Sequence, residues 1–325
     1  MDGPMRRIVD SAKLVLLTLM KYSFIMLDYP ALAAVACVVR EGSFERAAEK
    51  LGITPSAVSQ RVRALEERLG SITIVRGQPC LPTELGRRLC AHVDQVQLLE
   101  ADLRPTLALP ASEADAPVTL KVAVNSDSMA SWLPEAAAAF ARSTGFLLDF
   151  IIEDEGVTAD RLRSGEVLAA VSADPGTVQG CKTIPLGRLV YQACCSPDFA
   201  ARYFPEGVTA DSLNRAPCLN FERSDGLQAR WAKEHHGIAL NSPVHWVPST
   251  FGMLDFALAG MAWGMQPAVL AAPRIADGSL VELTPDTPLE VKLYWTVARL
   301  HATALTSLTD AVRKVAKARL RQTAP

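Results

Sequence analysis

The segment FERAAEKLGITPSAVSQRVRALEERLG, residues 44–70, constrains the fold more than any other part of the chain. Ser43 is a natural N-cap and Gly52 a natural C-cap, so the first part of the segment predicts a short helix. Thr54 as an N-cap and Pro55 in the first turn then predict a second helix that runs to the end of the segment. Two helices joined by so short a connection must pack across each other.

The spacing of small and apolar residues agrees with this arrangement. Ala48 is small where two helices cross, Gly52 allows a left-handed turn, and Val58 enters the core, which is the spacing of a helix-turn-helix. Apolar residues at helical spacing predict one further helix over residues 29–40. The sequence therefore predicts a three-helix head.

The last helix of the head has two distinct faces. Its core face follows a helical repeat and consists of Val58, Val62, Leu65 and Leu69. Its polar face consists of Ser56, Ser59, Gln60, Arg63 and Glu67. Short hydrogen-bonding side chains near a helix N-terminus, with arginine behind them, suit entry into the major groove of DNA. The helix N-terminus adds partial positive charge for a phosphate.

A short hairpin, or wing, is predicted over SITIVRGQPCLPT after this helix. It places Arg76 beside the DNA backbone or in the minor groove. An ordinary three-helix bundle with a solvated polar stripe is the alternative. The combination of tight turn, two-faced helix and arginine-bearing wing favours DNA binding.

A long helix is predicted over Thr83 to Leu107. Its narrow apolar stripe consists of Leu85, Leu89, Val93, Val96, Leu99 and Leu103. Such a stripe predicts pairing with a second copy, which would bring two DNA-binding heads to two half-sites. The alternative is that the stripe packs on its own domain. Residues 108–117, rich in proline, alanine and acidic residues, are then a linker.

Strands and helices alternate from residue 118 onward, which predicts a parallel sheet with helices on both faces. We expect an effector-binding domain over 118–325, with one subdomain at 118–186 and 298–325 and another at 187–297. A cleft between two such units is the usual place for a small ligand. The DNA-binding head then occupies 26–82. We interpret residues 1–25 as an N-terminal extension, with Met26 as a possible alternative start of the protein.

Polar residues at predicted strand ends are candidates for this cleft, namely Ser126, Asp127, Ser128, Asp154, Ser249 and Thr250. Hydroxyls at helix N-termini can hold a carboxylate, and the acidic run around Asp154 can hold a cation. One anion-binding corner and one acidic corner suit a basic amino acid. The alternatives are simple N-capping for the serines and a solvated loop for the acidic run.

Composition argues against several other classes of protein. The formal net charge is −2, so any nucleic-acid contact must use a local basic surface. The seven scattered cysteines have no zinc-like spacing with the five histidines, and they predict reduced thiols in a cytoplasmic protein without a metal or cofactor. The sequence has no nucleophile elbow, P-loop, dinucleotide fingerprint or HExxH motif, which disfavours an enzyme. The apolar run near the N-terminus is too short to cross a membrane.

The head, followed by LPTELGRRL, resembles the winged helix-turn-helix of LysR-type transcriptional regulators. The stretches VAVNSDSMASWLP, IEDE, RLRSGEVLAAVS, YFPEGVT and LYW resemble the ArgP-like branch of that family, and the resemblance covers residues 26–322. It implies DNA contacts from Pro55, Ser56, Ser59 and Gln60, with a wing arginine at Arg76. Many members have Gln-Pro where this chain has Pro55-Ser56.

The resemblance also implies a homodimer or homotetramer that binds promoter DNA and responds to lysine or arginine. An adjacent exporter or metabolic gene is then the expected target, and RNA polymerase is a further candidate partner. The branch includes proteins described as inhibitors of chromosome replication initiation. A DNA-binding inhibitor of replication without effector control therefore stays open as an alternative.

Overall fold

The computed structural model describes residues 27–107, 118–152, 155–174 and 176–322. The predictions for the N-terminal extension, for the 108–117 linker and for Asp154 lie outside these residues. The chain forms two compact units, and the boundary between them falls between Gln97 and Leu98.

The first unit contains three helices, a two-stranded hairpin and the beginning of a long helix. These elements are α1 Tyr29–Glu41, α2 Phe44–Leu51, α3 Pro55–Leu69, β1 Ile74–Val75, β2 Leu81–Pro82 and α4 Glu84–Leu107. The predicted caps are confirmed: Ser43 accepts a hydrogen bond from the Arg46 amide, and Thr54 accepts one from the Ala57 amide. Gly52 ends α2 with a φ of 64°.

The core of the first unit explains why α1, α2 and α3 hold together. Leu32, Val35, Val58, Val62 and Leu65 are each at most 1% exposed and belong to one cluster. The wing, formed by β1 and β2, pairs Ile74 with Pro82 and Val75 with Leu81 in an antiparallel register.

The apolar stripe of α4 is divided between two environments. Leu89 and Val93 belong to the core of the first unit, whereas Leu99 and Leu103 are 38% and 56% exposed. The prediction that the whole stripe faces a second copy was therefore wrong for Leu89 and Val93, because α4 packs on the head at its N-terminal end. Only the C-terminal part of the stripe leaves large apolar side chains exposed.

The second unit has an α/β architecture. Its strands are β3 Thr119–Val124, β4 Leu147–Ile152, β5 Ala169–Ser172, β6 Cys181–Cys195, β7 Cys218–Asn220, β8 Val244–Trp246, β9 Gly264–Pro267, β10 Val281–Glu282 and β11 Leu289–Ala298. Its helices are α5 Ser126–Ala130, α6 Leu133–Thr144, α7 Glu155–Ser164, α8 Pro197–Tyr203, α9 Ala210–Arg215, α10 Leu227–His236, α11 Thr250–Leu258, α12 Ala268–Ala276 and α13 Thr303–Arg319.

The main sheet is mixed rather than parallel. Its strand order is β10-β6-β11-β5-β3-β4, with β9 also paired to β6. The predicted parallel pairing holds for β3 with β4 and with β5, but β11 pairs antiparallel with β5 and β6. Alternation of elements along the chain could not reveal this, because β6 and β11 are long strands that pair with each other across a large separation in sequence.

The last helix packs back onto the first half of the second unit. α13 buries Leu305, Leu308 and Val312, and it contacts α6. The Trp295 indole of β11 is fully buried and donates a hydrogen bond to Thr309 at 3.1 Å. These contacts hold α13 against α6, β6 and β11.

Among the described residues, no helix is long and apolar enough to cross a membrane. All seven cysteines fall within the described residues, and each is buried and forms no disulfide. Burial raises the pKa of the Cys194 thiol well above its usual value and that of the neighbouring Cys195 thiol to about 12. Both thiols stay protonated at neutral pH, so they are poor nucleophiles.

Candidate functional site

The exposed face of α3 carries the residues predicted to bind DNA. Pro55, Ser56, Gln60 and Arg63 are exposed, and Ser59 is half-buried. The opposite face packs into the core through Val58, Val62 and Leu65. No acidic residue lies in the first turn of α3, so the partial positive charge of the helix N-terminus is available to an anion.

Arg76 connects the wing to α3. Its guanidinium lies 4.9 Å from the centre of the Phe44 ring and donates to the Ser59 hydroxyl at 3.5 Å. Arg76 is exposed, so the same group can also reach solvent. Arg63 is held differently, because it pairs with Glu67 at 2.9 Å one turn along α3. Two arginines and a row of short polar side chains therefore share one exposed surface of the first unit.

A cavity of about 500 Å³ lies in the second unit, beside α5 and the N-terminal ends of α10 and α11. This volume is within the range of pockets that bind small molecules. Its polar wall includes Ser126, Asp127, Tyr191, Glu222, Asp225, Arg230 and Thr250. Its apolar wall includes Ile152, Phe221, Met253 and Met265.

The Asp127 carboxylate is the centre of a hydrogen-bonded group in this cavity. Thr250, at the N-terminus of α11, donates to Asp127 Oδ1 at 2.7 Å. Tyr191, on β6, donates to Asp127 Oδ2 at 2.6 Å. Ser126 lies 2.9 Å from the Thr250 hydroxyl, and it is the donor when Thr250 donates to Asp127. Tyr191 and Thr250 thus bind the Asp127 carboxylate directly, and Ser126 joins the group through Thr250.

Asp127 has no ion pair with a basic side chain among the described residues. Burial raises the pKa of its carboxyl, the hydrogen bonds from Thr250 and Tyr191 lower it, and the nearby Asp225 carboxylate raises it; the net shift is upward. Burial and the negative charge of Asp127 raise the pKa of Tyr191 well above its usual value. Tyr191 therefore keeps its proton and remains a hydrogen-bond donor. Asp127 is therefore a partly buried acid with two hydroxyl donors and, among the described residues, no basic side chain paired to it.

The rim of the cavity is formed by residues 221–230. The Asp225 carboxylate accepts hydrogen bonds from the Phe221 amide at 2.9 Å and from the Leu227 amide at 3.0 Å, so it shapes the turn before α10. Arg230 is exposed and donates to the Glu290 carbonyl oxygen at 2.6 Å. Glu222 accepts from the Ser224 hydroxyl at 2.9 Å.

Two of the residues predicted from the sequence do not line this cavity. Ser128 is fully buried and accepts a hydrogen bond from the Trp132 indole at 3.1 Å, because it faces the core of the unit. Ser249 is exposed and caps α11 by accepting from the Gly252 amide at 3.1 Å. The capping alternative describes Ser249 correctly. Ser126, Asp127 and Thr250 come together as expected.

Seven polar residues of the described lining were not predicted from the sequence, namely Asn125, Tyr191, Glu222, Ser224, Asp225, Arg230 and Gln266. Tyr191 lies in an apolar strand and gives no local sign of a site. The Asp225-Gly226 pair just before α10 was a usable signal, because aspartate before a helix often binds backbone amides.

Comparison with known proteins identifies the family. Residues 115–319 match the model described as LysR substrate binding domain. Residues 30–87 match the model described as bacterial regulatory helix-turn-helix protein, lysR family. The chain belongs to the LysR-type transcriptional regulators. The predicted fold class, a winged helix-turn-helix followed by a long helix and an α/β effector domain, is confirmed. This is a family of transcriptional regulators and not of enzymes.

Relatives place the chain in the ArgP/LysG branch of the family. The HTH-type transcriptional regulator ArgP of Pseudomonas fluorescens strain Pf0-1 is 43% identical over 270 residues, which are 83% of this chain and 90% of that protein. The crystal structure of ArgP from Mycobacterium tuberculosis matches with a TM-score of 0.75 at 39% identity, over 92% of this chain and 100% of that one.

A second solved structure contains a ligand. Full-length LysG from Corynebacterium glutamicum, with bound effector Arg, matches with a TM-score of 0.64 at 33% identity. The match covers 91% of this chain and 100% of that chain.

Proposed function

We propose that this LysR-type regulator binds lysine or arginine in the cavity around Asp127 and changes its action on promoter DNA in response. The observation that carries the proposal is the state of Asp127: a partly buried carboxylate, fixed by two hydroxyl donors, with no basic side chain paired to it among the described residues. An uncompensated acid costs folding free energy, and a cationic ligand removes that cost.

The charges around the cavity support a basic ligand. Among the described residues, three carboxylates, those of Asp127, Glu222 and Asp225, line the cavity together with one guanidinium, that of Arg230. A basic amino acid has two cationic groups and one carboxylate, so its net charge is complementary to this wall. The bound arginine of the Corynebacterium glutamicum relative supports the same ligand class.

We propose that the candidate DNA-binding residues are Pro55, Ser56, Ser59, Gln60, Arg63 and Arg76. Five of them are exposed on one surface of the first unit and Ser59 is half-buried there, which supports this assignment. The protein would act in the cytoplasm as a homodimer or tetramer that uses the helix over Thr83 to Leu107. An adjacent exporter or metabolic gene is the proposed target, and RNA polymerase is a proposed partner.

Titration calorimetry of the full-length protein tests the effector. We expect L-lysine or L-arginine to bind at least tenfold more tightly than norleucine and citrulline, which have similar shapes but neutral side chains. D127N should lose most of this affinity, because it removes the charge and keeps the size of the side chain. Its control is D211N, since the Asp211 side chain is 92% exposed on α9 and lies outside the cavity.

Two results would contradict the proposal. Equal affinity for the charged and neutral amino acids would remove the charge-based assignment. No binding of any of them would favour a DNA-binding protein without amino-acid control.

A further inference from the structure

We propose that Tyr191 is a positioning residue for effector recognition, which keeps the Asp127 carboxylate ionised and correctly oriented for a cationic ligand. This role rests on the proposed function, and Tyr191 was not among the residues predicted from the sequence. Tyr191 does not need to touch the ligand, because it acts through Asp127.

The geometry supports a positioning role. Tyr191 is 2% exposed, and its hydroxyl lies 2.6 Å from Asp127 Oδ2. Thr250 donates to the other carboxylate oxygen, Oδ1, at 2.7 Å. Each oxygen is therefore held by a donor from a different element, β6 or α11, which fixes the plane of the carboxylate. An ionised carboxylate has about four acceptor positions, so both oxygens can still accept hydrogen bonds from a bound ammonium or guanidinium group.

The charges that face Asp127 make such a donor necessary. The Asp225 carboxylate, from the turn before α10, favours protonation of Asp127, and burial acts in the same direction. Glu222 adds a further acid to the cavity wall, and Arg230 of α10 is the basic residue in the part of that wall that the structure describes. The wall residues of β9, α11 and β11 carry no titratable group.

Hydroxyl donors oppose this tendency, because they bind the ionised form of an acid more strongly than the neutral form. A protonated Asp127 would lose its attraction for a cation. It would also turn one oxygen into a donor, which repels an ammonium group. The Tyr191 hydroxyl therefore widens the pH range over which the cavity is ready to bind.

The test measures effector affinity as a function of pH. Calorimetry with L-lysine and L-arginine between pH 5.5 and 8.5 compares the wild-type protein with Y191F, which removes only the hydroxyl. Y203F is the control, since Tyr203 packs on Phe199 in α8 and lies outside the cavity. Affinity should fall with decreasing pH in all three proteins, because Asp127 must lose its proton to bind a cation.

In Y191F the fall should begin about one pH unit higher. The affinity of Y191F is then lower than that of wild type by up to about tenfold at the acidic end and within a few-fold of it at pH 8.5. Y203F should follow wild type throughout. T250V should behave like Y191F, and T250S, which keeps the hydroxyl, should restore the wild-type profile.

A second measurement needs no ligand. Because the pKa of Asp127 is raised by folding, Asp127 destabilises the protein as pH rises through that pKa, and D127N does not. The difference in melting temperature between wild type and D127N therefore changes at the pH where Asp127 titrates. Between Y191F and Y191F/D127N, the same change should occur about one pH unit higher.

The outcomes separate the two proposals. A wild-type protein that binds neither lysine nor arginine contradicts the proposed function, and the melting measurement then decides the role of Tyr191 alone. Equal affinities of Y191F and wild type at every pH would overturn the inference. A loss of affinity that is the same at every pH, with no shift of the profile along the pH axis, would also overturn it, because Tyr191 would then have no effect on the ionisation of Asp127. The inference is also overturned if the melting-temperature difference caused by D127N changes at the same pH in the wild-type and Y191F backgrounds.

Discussion

At the scale of single residues, Gly86 shows how closely the wing packs on the long helix. Gly86 lies in the first turns of α4, where alanine is ordinarily the better helix former. A Cβ at this position would lie 2.0 Å from the Thr73 carbonyl oxygen, which is far inside van der Waals contact. The same carbonyl accepts a hydrogen bond from the Thr83 amide at 3.0 Å. Gly86 is therefore required by the approach of two backbones.

The substitution G86A should destabilise the first unit by about 2 kcal/mol, because the wing backbone must move and the bond from Thr83 to Thr73 is strained. Chemical denaturation followed by circular dichroism measures the change. G226A is the control, since a Cβ at Gly226 meets nothing within 4 Å and its backbone has an ordinary φ of −114°. Equal stabilities of G86A and wild type would show that the wing is not held against α4 in solution.

At the scale of elements, the sequence predicted the helices of the head closely, because their signals are local. The caps Ser43 and Thr54 and the turn at Gly52 determine where α2 and α3 begin and end. Periodic apolar residues identify the buried face of each helix. No long-range contact is needed for either inference, so the exposed face of α3 could be predicted residue by residue.

The cavity could be predicted only in part, for a physical reason. Ser126 and Thr250 lie at helix N-termini, which can be predicted from the local sequence. Tyr191 and Asp127, in contrast, come together only because β6 pairs with β11 and β9 across long sequence separations. Hydrophobic alternation within β6 predicts a strand and does not predict its partner or its direction. The polar wall depends on that pairing, so most of it could be found only in the folded chain.

The wing and α3 should contribute to DNA binding in separable ways. Q60A should reduce the preference for the specific site, because glutamine can read a base edge, and it should leave the salt dependence unchanged. R76Q should weaken binding to all sequences and lower the salt slope by about one, because one phosphate contact is lost. Gel-shift titrations at several salt concentrations, with specific and random duplexes, measure both effects.

R215Q is the matched control for the loss of charge, since Arg215 is an exposed arginine of α9 in the other unit. A salt slope that R76Q leaves unchanged would mean that Arg76 does not contact a phosphate. A site preference that Q60A leaves unchanged would remove Gln60 from the recognition surface.

At the scale of the whole molecule, α4 is the element that belongs to both units. Its N-terminal part packs in the first core through Leu89 and Val93, and Leu98 is buried in the core of the second unit. Asp102 accepts a hydrogen bond from the Thr303 amide at the start of α13, at 2.7 Å. Between and beyond these contacts, Leu99 and Leu103 remain 38% and 56% exposed. Exposed leucines at this spacing on one helix are typical of a surface that a second helix covers.

The substitution L103E should therefore weaken self-association, because a carboxylate replaces an apolar contact between two copies of α4. Sedimentation of the full-length protein should show at least a tenfold rise in the dimer dissociation constant. Affinity for a DNA fragment with two half-sites should fall much more than affinity for a single half-site, since only the first depends on pairing of two heads. V269E is the control, because Val269 is equally exposed, at 56%, but lies on α12. Unchanged sedimentation of L103E would place the dimer contact elsewhere on the protein.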